Sequence, residues 1–64
     1  MESYIQLVLE KNNNTVFHIF NTTDELESYL KTIEGHTYDY KNIILCIDNE
    51  LNWEMTKIYK KRYL

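Results

Sequence analysis

The 64-residue chain has no proline, one glycine (Gly35) and one cysteine (Cys46). A single cysteine excludes an intramolecular disulfide framework. A single glycine excludes a glycine-rich loop that cradles phosphate. Nothing in the chain reads as a proline- or glycine-rich linker, and its length suits one small domain over residues 1–64. The longest apolar run is Ile43-Ile44-Leu45-Cys46-Ile47, far short of the ~20 residues that a membrane-spanning helix needs. Met1-Glu2-Ser3-Tyr4 is acidic and lacks the basic-then-apolar order of a secretory signal. A cytoplasmic protein with no membrane contact is expected.

What is present suits a folded domain. Apolar residues make up 44% of the chain and charged residues 27%, which is not a disordered composition. Residues 3–10, with Ile5, Leu7 and Leu9 alternating against Gln6 and Glu10, read as a strand. Lys11-Asn12-Asn13-Asn14 is a hairpin turn made without glycine, because asparagine tolerates positive φ. Thr15 to Phe20, β-branched and aromatic, is the returning strand.

Thr22 with Glu25 three residues on forms a capping box, and Asp24 and Glu25 suit the positive end of a helix dipole. Leu26, Tyr29, Leu30 and Ile33 form an apolar stripe, so the spacing predicts a helix over 22–34, with Gly35 as a left-handed C-terminal cap. A polar loop follows from His36 to Asn42, then a buried strand from Ile43 to Ile47.

The last segment reads two ways. As a strand, Leu51, Trp53 and Met55 share a face after a turn at Asp48-Asn49-Glu50. As a helix, Leu51, Met55, Ile58 and Arg62 share a face, and the acid-first, base-last order favours it. The alternation tips the reading to a strand. The expected class is a small α+β domain of order ββαββ, its antiparallel hairpins forming a sheet with one helix on one face. The alternative is ββαβα, with a second helix at the C-terminus.

Catalysis is not expected. A core of this size seldom yields more than ~3–5 kcal/mol net, and a pocket of ~300 Å³ or more would take residues that the core needs. His18, His36 and Cys46 are scattered, with no spacing for zinc, so neither metal nor cofactor is expected. His18 reads as a residue of the less buried sheet face, and Cys46 as an inert buried thiol. No catalytic residue is assigned.

Charge is unevenly spread. Up to Met55 there are ten acidic and three basic residues; beyond it come Lys57, Lys60, Lys61 and Arg62 with no acid, giving a net charge of −3. An acidic body would be drawn to a basic surface, such as that of a nucleic-acid-binding protein. The basic tail, with Tyr59 and Tyr63 interleaved, is weak for nucleic acid in so acidic a chain, and direct nucleic-acid binding is not expected. One helix, ~10 Å across, covers about half of a four-stranded sheet ~19 Å wide. Since Tyr4, Val8, Ile44 and Cys46 point away from Ile5, Leu7, Ile43 and Leu45, apolar surface should remain for a protein partner or for a second copy. The candidate partner-binding residues are Asp24, Glu27 and Glu34 on the helix, Tyr38, Asp39 and Tyr40 in the loop, and Trp53, which serves either as core or as interface anchor.

In size and composition the chain resembles the small acidic proteins of bacteriophages and mobile elements that inhibit a host enzyme or defence system, anti-CRISPR proteins among them. That resemblance implies a non-enzymatic inhibitor of another protein. It rests on no motif and carries over no site residue. The alternatives are a homodimeric structural or assembly protein and a small nucleic-acid binder acting through the basic C-terminus.

Overall fold

The computed structural model describes residues 3–64. The elements are β1 (Ser3–Lys11), β2 (Asn14–Phe20), α1 (Thr23–Thr32), β3 (Tyr40–Ile47), β4 (Glu50–Leu51) and α2 (Trp53–Tyr63), a ββαββα chain. The strands form one sheet in the order β2-β1-β3-β4, and each neighbouring pair is antiparallel. Because β2 and β3 flank β1 and both oppose it, they run parallel to each other. The β2-α1-β3 connection is therefore a crossover passing β1.

Both hairpins turn on two residues with positive φ: Asn12 (53°) and Asn13 (66°), then Asp48 (54°) and Asn49 (64°). Positive φ at both central positions is the requirement of a type I′ turn, whose twist matches that of the strands. Asn and Asp meet it because their short polar side chains lower the cost of the left-handed region. The second turn lies at Asp48-Asn49, with Glu50 already paired opposite Ile47.

Helix α1 starts as its sequence dictates. The Glu25 N–H donates to Thr22 Oγ1 at 3.2 Å. The return bond shifts by one residue: Glu25 Oε2 accepts from the Asn21 N–H at 2.9 Å. The regular helix ends at Thr32 with Ile33 as its cap, somewhat short of the expected 22–34, and Gly35 takes the left-handed conformation (φ 88°) that glycine allows most cheaply.

The core lies between the sheet and a layer of two helices. Ile5, Leu7, Leu9, Ile43 and Leu45 meet the fully buried Leu26 of α1, and Tyr29, Leu30, Ile33, Met55, Tyr59 and Tyr63 close around them. The strand reading of 51–56 gives way here, because β4 stops after two residues and α2 takes over. Asn52 Oδ1 accepts the Met55 N–H at 2.9 Å and caps the new helix. Thr56, 2% exposed, docks on Leu45. Trp53, whose alternation favoured the strand, is 65% exposed, so its spacing reported no burial at all.

Candidate functional site

The faces of the sheet follow from the register. Ile5 pairs with Phe20 and Leu45, and Leu7 with His18 and Ile43, so these side chains share the helix-covered face. The other face carries Tyr4, Gln6, Val8 and Glu10 of β1, Thr15, Phe17 and Ile19 of β2, Tyr40, Asn42, Ile44 and Cys46 of β3, and Leu51 of β4. Both helices pack against the first face. Among the described residues, none covers the second. Phe17 is 60% exposed, Ile19 57% and Tyr40 50%. Glu10 is the one charged residue of this face among those described. The chain exposes 4804 Å², more than the ~4,400 Å² of a compact monomer of its mass.

Val8 and Cys46 on this open face are themselves buried. Tyr4, directly opposite Cys46, has its phenol raised above the ordinary value, chiefly by the neighbouring Cys46 thiol.

No protein-family model matches the chain, and neither a curated protein nor a solved structure matches it.

The expected binding residues do not form one patch. Asp24, Glu27 and Glu34 are exposed on or just after α1, in the helix layer, opposite the open face. Glu27 Oε1 accepts from the Tyr63 hydroxyl at 2.9 Å, tying α1 to α2. Asp39 is a structural staple: its Oδ2 accepts the Asn12 N–H at 3.0 Å, and its own N–H donates to the Glu10 carbonyl at 2.8 Å. Tyr38 packs against the core with the Lys11 ammonium 5.9 Å from its ring centre. Only Tyr40 lies on the open face. Trp53 stands exposed where α2 begins, next in sequence to the cap that follows Leu51.

His18 is not on the less buried face. It lies under the helix layer with its ring 4.3 Å from that of Tyr29, and Nε2 and the Tyr29 hydroxyl share a hydrogen bond of 2.8 Å. Phe20 completes the cluster at 5.6 Å from Tyr29. Burial pushes the Tyr29 phenol above its usual value, and Tyr38 adds to the shift. The sheet thus separates His18 from Cys46. No group of three or more His, Cys, Asp or Glu side chains capable of holding a metal ion occurs among the described residues. Tyr59 and Tyr63 pack against the core and meet edge to face at 5.7 Å. Lys57, Lys61 and Arg62 are exposed on α2, and the Arg62 guanidinium lies 5.9 Å from the Tyr63 ring centre. No helix among the described residues is long and apolar enough to cross a membrane.

Sequence reasoning missed Phe17, Ile19 and Leu51. The signal was available: Thr15, Phe17 and Ile19 share one face by period two, the same rule that placed Tyr4 and Val8.

Proposed function

We propose that this chain is a non-catalytic protein-binding module that regulates or blocks a partner by seating its open sheet face on an apolar, uncharged surface of that protein. One observation carries the reading: a face with Phe17, Ile19, Tyr40 and Leu51 exposed and, among the described residues, a single carboxylate on it. Apolar patches of this kind mark interaction sites, and charged residues are depleted at interface centres. The role of a phage or mobile-element inhibitor, suggested by size and composition, needs only such an anchor. The acids of α1, on the far layer, would steer a basic partner towards encounter and would not seat it.

The test compares capture of a partner by three forms of the chain, with the folded state of each checked by circular dichroism. Tyr40→Lys with Ile44→Lys should abolish capture. Asp24, Glu27 and Glu34→Lys together should leave a complex that forms more slowly but survives high salt. Capture that tolerates the face variant and fails with the helix variant would overturn the reading in favour of an acidic decoy.

A further inference from the structure

We infer that two copies of this chain associate edge to edge through β2, forming one continuous eight-stranded antiparallel sheet. This goes beyond the proposed partner-binding role and rests on the strand edge, not on the open face.

The backbone pattern shows which groups are unpaired. The Leu45 N–H and C=O both point away from β1, towards Thr56 and Asn52. Antiparallel strands alternate between hydrogen-bonded and non-hydrogen-bonded pairs, so Ile5, opposite Leu45, directs its groups towards β2. It is therefore the even-numbered residues of β2 that bond to β1. Thr15, Phe17 and Ile19 direct N–H and C=O outwards, three donors and three acceptors along an exposed edge.

The two edges of the sheet are treated differently. On the β3 side, β4 pairs with Cys46 and Ile47. Thr56 and Asn52 satisfy Leu45, Asn42 Oδ1 accepts the Ile43 N–H at 3.0 Å, and Lys41 adds a charge. Those are the usual devices that blunt an edge. β2 has none: from Asn14 to Phe20 there is no Lys, Arg, Asp, Glu or proline, and its register with β1 runs without a bulge.

The exposed groups are also self-complementary. Phe17 is the central residue of β2. A two-fold axis at Phe17 sets Phe17 against Phe17 of the second copy and Thr15 against Ile19 of that copy, and every outward group finds a partner. The like aromatic pair lies on the open face, where cross-strand aromatic contact is favourable. Such a contact uses both β2 edges and leaves only the protected β3–β4 edges outside, so assembly stops at two.

Sedimentation of the intact chain over a concentration series tests this, with each variant's fold checked by circular dichroism. The wild type should reach twice 7.8 kDa. Phe17→Lys and Phe17→Glu, each placing like charges directly opposite, should each raise the dissociation constant roughly tenfold or more, and an equimolar mixture of the two should restore the dimer. Tyr40→Lys, on the same face but away from β2, should leave it intact. A wild type that stays monomeric at millimolar concentration overturns the inference. So does a dimer that Tyr40→Lys breaks and Phe17→Lys spares, which would mean face-to-face stacking. A monomeric wild type leaves partner capture, read separately through the Tyr40 and Ile44 variants, untouched, whereas face-to-face stacking would put a second copy on the face proposed for the partner.

Discussion

The Thr56 hydroxyl is bonded twice to the backbone of Leu45, accepting its N–H at 3.0 Å and donating to its carbonyl oxygen at 3.5 Å. Leu45 lies just past the last residue that β4 pairs, so a side chain on α2 takes the place of a missing strand. The same carbonyl also accepts the Asn52 N–H at 2.9 Å. One buried hydroxyl thereby closes the sheet edge and anchors the helix.

Thr56→Val keeps the shape and strands the buried Leu45 N–H without an acceptor. An unsatisfied buried donor costs about 1–3 kcal/mol, a large share of the stability of so small a domain. Urea denaturation should show that loss, and Thr56→Ser, which keeps the hydroxyl, should recover most of it.

Asp39 is expected to matter for stability and not for partner contact. Asp39→Ala removes the acceptor for the Asn12 N–H at an exposed turn and should cost about 1 kcal/mol. Denaturation of the variant would register that cost, while capture of a partner should be unchanged.

The two glycine-free turns should respond to how well the residue tolerates positive φ. Asn13→Ala and Asn49→Ala force a residue without a local polar group to φ near 65°, and each should destabilise by about 1 kcal/mol. Asn13→Gly, which creates the favoured Asn-Gly pair of a type I′ turn, should leave the thermal midpoint unchanged or higher.

The fold should weaken in alkali. Burial raises both the Tyr29 and the Tyr63 phenols, with the Glu27 hydrogen bond adding to the second. Their folded values therefore lie above the ~10 of an unfolded tyrosine. The unfolded chain releases these protons first, so stability is intact below pH ~10 and falls as pH rises through that value. A urea-midpoint series against pH should show the decline, and Tyr63→Phe should reduce it.

Much of this architecture is legible along the chain because its causes are local. The alternation of Ile5, Leu7 and Leu9 declares β1. Thr22 and Glu25 announce α1, and Gly35 follows where it stops. Asn12-Asn13 forms a turn because each residue tolerates positive φ. These effects act within a few residues of their source. The acids of α1 were legible as charges but not as a binding surface, because a helix face does not report which layer of the molecule it joins.

The C-terminal third depends on distant contacts. Leu51, Trp53 and Met55 alternate like a strand, yet α2 forms because Asn52 caps it and Thr56 meets the unpaired backbone of Leu45, 11 residues away. Likewise, the period-two rule sorts each strand's residues into two faces but cannot say how many helices cover one of them. That both helices settle on the face of Leu7 and Ile43 is a matter of shared burial around Leu26. The apolar face on the far side, and the unprotected edge of β2, follow from that three-dimensional choice, since backbone groups and side chains on different elements acquire or lose their partners only when the sheet is assembled.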